Sequence, residues 1–497
     1  MLYTKELLLP AIQAAFDHGG LECVCELMVK LLNEQEARHQ AEMAQLAARF
    51  EARIAELEKR LGKNSSNSSK PPSSDGLKRR NRSLRDNQSG RKPGGQPGHP
   101  GQRLKPSSNP DEVIDVPLDQ CPQCQEDLSA APGVSVEERQ VFELPPIKLR
   151  VTAYRAERKV CPTCGRIMCA AFPQGVNAPT QYGPNMQAVM TYLQAGQLLP
   201  HHRTAQVCED LFGHRPSAGS SVRSVTKSAE QMQPAIEQIA TALHSAPVLH
   251  ADETGVRCAG KTQWLHVAST ESCTLYSHSA KRGLEGILKA GVLAGYTHRL
   301  MHDFWGPYDH LEHCKHLRCN AHLLRELKAC AEAGHRWAKE LARTLVEMKQ
   351  ARDEALEKER SAVPGGRRRE LEARYGKWLR QGLKKHPYIE KPSGQRGRGK
   401  QSTEHNLLRR LESKQSEVLA FLHDIELPFD NNLAERDLRM MKVQQKISGC
   451  FRSIAGAETF CVIRSYLSTA RKQGLNLIQS IRAALAGNPS CFAQGAE

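Results

Sequence analysis

Val248-Leu249-His250-Ala251-Asp252-Glu253-Thr254-Gly255 is the stretch that decides the fold. A strand-like run leads into an acidic residue, and Thr-Gly follows as a turn signal. Two more such runs come next, Trp264-Leu265-His266-Val267-Ala268 and Thr274-Leu275-Tyr276-Ser277. A helical stretch, Leu284 to Leu293, leads to the runs Arg299-Leu300-Met301-His302 and His316-Leu317-Arg318-Cys319. Three strands, a helix and two further strands is the order of an RNase H-like domain, here over residues 246–320.

Outward from that core, residues 321–425 are rich in Ala, Leu, Glu, Lys and Arg and predict long helices. Breaks fall at Pro364-Gly365-Gly366 and between Lys391 and Lys400, so this part reads as a helical insertion in the α/β domain. Residues 426–497 complete the core with a helix carrying Glu435 and with C-terminal helices. On the N-terminal side, residues 179–245 read as helices. Arg203 to Gly213, a short turn and Ser217 to Ala229 resemble a helix-turn-helix. Its second helix is expected to carry Ser220, Ser221, Arg223, Ser224 and Lys227 outward for DNA reading; a plain helical pair is the alternative.

Residues 109–178 hold Cys121-Pro-Gln-Cys124 and Cys161-Pro-Thr-Cys164, with 36 residues between the pairs. Each pair places two thiolates on a tight turn, and together they complete a tetrahedral zinc shell of the structural kind. Strands are expected between them, at 137–144 and 149–152, as in a zinc ribbon. Residues 63–108 change character abruptly. From Gly62 to Pro106 there are 11 Lys and Arg against 2 Asp, a local charge of +9. This composition predicts a disordered basic arm, with Lys78, Arg79, Arg80, Arg91 and Lys92 as candidate phosphate contacts; a solubilising linker is the alternative. In residues 1–62, Met43, Leu46, Phe50, Ile54, Leu57 and Leu61 follow a heptad seam with one slip. A short coiled coil and a homo-oligomer are expected; a solitary amphipathic helix is the alternative.

The chain has 497 residues and a net charge of +16, with a pI of about 9.2. Its length calls for several modules, and its charge points to a polyanion, most often nucleic acid. No apolar run reaches the roughly 18 residues of a membrane span. Met1 to Pro10 carries Lys5 and Glu6 without a cleavable signal pattern, so a cytoplasmic protein, nucleoid-associated when on DNA, is expected. There the 16 cysteines are mostly reduced, and close pairs read as metal ligands.

Three acidic residues stand out. Asp252 and Asp303 each end a strand-like run, and Glu435 lies in Asp430-Asn431-Asn432-Leu433-Ala434-Glu435-Arg436-Asp437-Leu438-Arg439, which should open a helix. Two carboxylates at neighbouring strand ends and one on a facing helix can hold two divalent ions. Hard oxygen donors suit Mg²⁺ or Mn²⁺. Arg436 and Arg439 flank Glu435 and read as phosphate contacts or as ion pairs steadying it. Cys319-Asn320-Ala321-His322, near Cys314 and His316, is open between a second metal, DNA positioning and packing. Asp309 and Asp437 are expected to be dispensable.

The zinc knuckles, the Ala251-Asp252-Glu253-Thr254-Gly255 box and the Asp430-Asn431-Asn432-x-x-Glu435-Arg436-x-Leu438-Arg439 box resemble the insertion-sequence 66 family transposases. So do Gly62-Lys63-Asn64-Ser65-Ser66-Asn67-Ser68-Ser69-Lys70-Pro71-Pro72 and Arg91-Lys92-Pro93-Gly94-Gly95-Gln96-Pro97-Gly98-His99. The resemblance implies a DDE recombinase with a coiled coil, a zinc finger and a helical insertion before the last acid. Its catalytic residues fall on Asp252, Asp303 and Glu435. It implies binding of terminal inverted repeats, hydrolytic cutting of the ends and their joining to target DNA, and leaves accessory proteins of the same element open. The second box departs from the family's usual Asp-Gly-Tyr, reading Asp303-Phe304-Trp305, which keeps Asp309 as a fallback. An inactive DNA-binding descendant and a zinc-ribbon nuclease of RNase H-like fold are the competing readings.

Overall fold

The computed structural model describes residues 5–64, 67–68, 104–145, 147–390, 399 and 401–492. In chain order, helix α1 (Lys5–Leu61) precedes strands β1 (Arg158–Val160) and β2 (Ile167–Cys169). Helices α2 (Pro184–Thr191), α3 (His201–Phe212) and α4 (Ala218–His244) follow. Strands β3 (Val248–Cys258), β4 (Lys261–Ser269) and β5 (Thr274–Ser279) come next, then α5 (Leu284–Leu288), β6 (Arg299–His302) and β7 (Lys315–Arg318). Helices α6 (Asn320–Glu332), α7 (Arg336–Glu357), α8 (Gly365–Lys385), α9 (Thr403–Ser413), α10 (Gln415–Val418) and α11 (Ala420–His423) are consecutive. The chain closes with α12 (Asn432–Ser448), α13 (Ile454–Lys472) and α14 (Leu477–Leu485). It divides into two compact units, Met1–Arg80 with Arg318–Asp430, and Asn81–Leu317 with Asn431–Glu497.

The second unit is built on a five-stranded sheet in the order β5-β4-β3-β6-β7. β3 runs antiparallel to β4, β4 antiparallel to β5, and β3 parallel to β6. A hairpin can be closed by two residues, Ala259 and Gly260, whereas the parallel partner needs a crossover; here residues 280–298 supply it. Each face buries a separate core. Ala251, Ala268 and Leu275 pack with Ile239 and Leu243 of α4 and with Ile463 and Leu467 of α13. Val256, Leu265, Val267 and Tyr276 pack with Ala434, Leu438 and Met441 of α12.

β3 corrects the sequence reading. It continues through Asp252 to Cys258, pairing Asp252 with Val267 and Gly255 with Trp264. The antiparallel ladder with β4 supplies hydrogen bonds that override the turn preference of Thr254-Gly255. The parallel pairing with β6 does stop early, covering only Val248 to His250 against Arg299 to Met301.

The region of the cysteine knuckles also differs from expectation. No strand forms at 137–144 or 149–152; β1 and β2 instead pair antiparallel around the second knuckle. Val141, Leu144 and Val151 are 88%, 69% and 89% exposed, so the alternation there has no opposing layer to bury it. The helical region follows the sequence more closely. Gly213 ends α3 at φ 67°, a left-handed cap that favours glycine, and the Ser217 hydroxyl caps α4 by accepting from the Ser220 N–H.

In the first unit, α1 spans more than the predicted seam and is kinked at Gly19 and Gly20. Met43, Phe50, Ile54 and Leu57 are exposed along it. The predicted insertion is mostly helical: a non-helical link after Glu357 runs to Pro364, the N-cap of α8, as the expected break requires, while most of the second break, between Lys391 and Lys400, lies outside the described residues. Trp337, Leu341, Leu345 and Met348 of α7 are buried, as are Leu371, Tyr375 and Leu379 of α8. A β-carbon at Gly382 would lie 2.6 Å from Leu408 Cδ2, so this close approach of α8 to α9 requires glycine. Among the described residues, no helix is long and apolar enough to cross a membrane.

Candidate active site

The register of the sheet brings the first two acids together. Asp252 lies two residues past His250, and Asp303 lies two past Met301, which His250 pairs with on the neighbouring strand. Both therefore sit just beyond the end of the parallel pairing, where an open α/β sheet presents its ligand crevice. Glu435 comes from the first turn of α12. All three acids are half-buried.

Local hydrogen bonds orient these groups. The Glu253 N–H donates to Asp252 Oδ1 at 2.8 Å, and the Trp305 N–H donates to Asp303 Oδ1 at 2.8 Å. Asn431 joins α12 to β3: its Nδ2 donates to the Ala251 carbonyl at 2.8 Å, and its Oδ1 lies 2.9 Å from His250 Nδ1. The Asn431 carbonyl in turn accepts from the Glu435 N–H at 3.2 Å. One buried amide thus ties the start of the helix to the residue before Asp252.

Electrostatics mark the same place. Although Asp252 keeps an edge open to solvent, it is packed among protein atoms. That burial, then the charges of Glu253, Asp303 and Glu435, hold its carboxyl well above the ordinary carboxylate range. Lys442, on α12, is a nearby cation; burial lowers its pKa while Asp252 opposes the shift. A crowd of carboxylates with hard oxygen donors and mutual repulsion fits a divalent cation, which relieves that repulsion by coordination.

The sequence reading missed Glu253. Its side chain is buried; Arg282 donates to Oε1 through Nε at 3.1 Å and a terminal nitrogen at 2.9 Å, and the Tyr308 hydroxyl donates to Oε2 at 2.8 Å. The Arg282 guanidinium lies 3.7 Å from the Trp305 ring centre and 4.8 Å from that of Trp264. Burial and the charge of Asp303 raise the Glu253 carboxyl, and the Tyr308 and Arg282 bonds offset part of that. Tyr308 continues to His302, whose ring centre is 4.6 Å away and whose Nε2 lies 2.9 Å from His316 Nδ1.

Asp437 was missed as well. Its Oδ2 accepts from Ser269 Oγ at 2.6 Å, Thr274 Oγ1 at 2.9 Å and Lys472 Nζ at 2.9 Å, while its carbonyl accepts from the Tyr276 hydroxyl at 2.8 Å. It anchors α12 to β4, β5 and α13, two residues from Glu435. The expectation that it is dispensable is therefore withdrawn. Only its one-turn neighbours to Glu435 are visible in sequence; the three donors to its carboxylate come from positions 163 or more residues earlier or 35 later.

The remaining predicted residues fall as follows. Arg436 and Arg439 are exposed on α12, and Arg223 and Lys227 are exposed on α4. Ser221 and Ser224 face inward instead of outward: Ser221 Oγ lies 3.7 Å from Met190 Sδ, and Ser224 Oγ donates to the Ser220 carbonyl at 2.9 Å. Hydroxyls that bond back to their own helix tolerate burial. Each cysteine knuckle is folded. The Gln125 and Gly165 N–H groups donate to the carbonyls of Cys121 and Cys161, both at 2.9 Å. Backbone bonds from Cys124 and Cys164 lower the thiol pKa of Cys121 and Cys161, favouring the ligating thiolate. Among the described residues, the four thiols do not form a group with ligand atoms within 4.8 Å of one another. Lys78, Arg79, Arg80, Arg91 and Lys92 lie outside the described residues.

The Transposase IS66 family matches residues 179–459, which include the sheet, the three acids and the helices between them. The zinc-finger binding domain of transposase IS66 matches residues 119–165, and a family of unknown function matches residues 28–105. The chain belongs to the IS66 transposase family. No curated protein matches it.

Proposed function

We propose that this transposase is a DDE-type polynucleotidyl transferase of RNase H-like fold, with Asp252, Asp303 and Glu435 as its catalytic residues. The observation that carries the proposal is the geometry: Asp252 and Asp303 each lie two residues beyond the paired His250 and Met301, and Asn431 clasps the first turn of α12, with Glu435, to Ala251. These carboxylates would hold two Mg²⁺ or Mn²⁺ ions. When bound, such a pair supplies activation of the attacking oxygen and stabilisation of the leaving oxygen. The chain's own part is to orient and neutralise. Backbone N–H groups aim one oxygen each of Asp252 and Asp303, and the buried Glu253 is held by Arg282 and Tyr308 behind them. Arg436 and Arg439 lie one position and one turn from Glu435 and are exposed, and they would contact the phosphodiester.

DNA is the partner, with transposon ends and target DNA as substrates. Arg223 and Lys227 on α4, and the basic arm with Lys78, Arg79, Arg80, Arg91 and Lys92, contribute phosphate contacts. Cys121, Cys124, Cys161 and Cys164 would share one structural zinc, and the seam of α1 would pair with a second copy. The test uses the DNA flanking the coding region, where inverted ends should lie. Asp252→Ala, Asp303→Ala and Glu435→Ala should each lower end cleavage and joining at least about a hundredfold, with non-additive combination and retained end binding. Asp309→Ala should keep most activity. A dead Asp309→Ala beside a fully active Asp303→Ala reassigns the second acid; activity in all three variants refutes the enzyme.

A further inference from the structure

We infer that the outer face of α8 is a phosphate-binding surface for duplex DNA. The inference rests on the nucleic-acid reading above and adds a contact that neither the arm nor the helix pair provides. α8 carries eight Lys and Arg against two Glu. Both acids are committed: Glu370 pairs with Arg367 at 2.8 Å, and Glu372 with His423 at 3.0 Å. Arg367 and Arg374 also reach Glu347 of α7. Among the described residues, Arg369, Lys377, Arg380 and Lys384 are exposed and have no carboxylate partner.

Helical geometry puts those four in one stripe. At 3.6 residues per turn they fall within a sector of about 80° and extend over about 22 Å of axis. Leu371, Tyr375, Leu379 and Gly382 are buried on the opposite side. Like charges three and four apart oppose helix formation, so Lys377, Arg380 and Lys384 give α8 nothing by themselves. The adjacent α7 shows the ordinary solvated alternative, with mixed signs closed into local pairs: Arg343 with Glu340, Lys349 with Asp353, and Lys358, just past its end, with Glu354. A one-signed stripe in the same unit, next to a self-compensated helix, is complementary to an anion array. Duplex DNA presents about one charge per 1.7 Å of axis, a continuous array that a straight row of long side chains can follow without reading bases.

The test is the salt dependence of binding of the full chain to a random-sequence DNA duplex, compared with Arg369→Gln/Lys377→Gln/Arg380→Gln/Lys384→Gln. Each lost phosphate contact flattens the slope of log affinity against log salt by about 0.9, so the variant should be flatter by about 2 to 3.6. Its thermal midpoint should stay within about 2 °C or rise, because repulsion is removed and no ion pair is broken, only the exposed contact of Lys377 with the Trp378 ring. An unchanged slope in a chain that still binds the duplex overturns the inference and leaves the stripe to an acidic protein partner or to solvent. A wild-type chain that does not bind the duplex overturns the nucleic-acid reading, and this surface with it.

Discussion

Replacing Asp437 by Ala should be among the most damaging single changes in the sheet-containing unit. Asp437 and Lys472 form a pair whose side chains are 12% and 14% exposed. Removing one member of a buried pair costs about 3 to 5 kcal/mol, because the other charge is left without its counter-ion. Lys472 keeps three acceptors, Ser269 Oγ at 2.8 Å and the carbonyls of Thr270 at 2.6 Å and Cys273 at 3.2 Å. That places the loss of the pair near 3 kcal/mol. Ser269 and Thr274 also lose their acceptor, at about 1 to 3 kcal/mol for each buried donor left unmade, although Ser269 can turn to other partners. A total of about 4 kcal/mol is a large part of the 5 to 15 kcal/mol that holds a domain. In a unit of about 300 residues it should lower the thermal midpoint by about 6 °C. Asp437→Asn, which keeps an acceptor oxygen, should lose about half as much. Thermal unfolding followed by tryptophan fluorescence measures this through Trp264 and Trp305. A fall of less than about 2 °C for Asp437→Ala would refute the anchoring role.

The carboxylate site should show opposite signs for stability and chemistry. The Asp252 carboxyl is raised, so the folded chain holds that proton more tightly than the unfolded one, and without metal stability should fall as pH climbs through the range above 3.8. Mg²⁺ must displace that proton, so its stabilising shift should grow over the same range; a shift independent of pH would count against coordination by Asp252. Asp252→Asn should raise the metal-free thermal midpoint while abolishing the Mg²⁺ effect. For the knuckles, one zinc per chain is expected by elemental analysis, and Cys161→Ser should release it; full retention by a variant with serine at 121, 124, 161 and 164 would place the metal elsewhere. On α1, Phe50→Asp should shift the chain to a smaller species in analytical ultracentrifugation, and an unchanged sedimentation coefficient would leave the seam without a role in assembly.

The three candidate acids stand out in the sequence because each follows or opens a patterned element. Asp303 ends an apolar strand, and Glu435 stands one turn past Asn431, a residue type that favours helix starts. Their partners do not. Asp252 looks like a strand end because Glu253-Thr254-Gly255 reads as a turn; only the ladder to Trp264 and Leu265 makes it continue. Ser221 and Ser224 look like an outward polar face because hydroxyl burial depends on backbone carbonyls that composition does not disclose. Glu253 depends on Arg282 and Tyr308, 29 and 55 positions away. Asp437 depends on groups up to 168 positions away. Local pattern identifies the elements; these long-range pairs decide which polar residue is tied into the structure and which is left facing solvent.

Asn431 carries a consequence for how such a chain can change over time. Its amide bonds to Ala251 and His250 fix where α12 begins by reference to β3. The helical stretch between β7 and Asn431 can then lengthen, shorten or be exchanged while Glu435 keeps its station. New surfaces can be tried in that stretch without moving Glu435 relative to β3, since that spacing is written in a side-chain clasp and not in a count of residues.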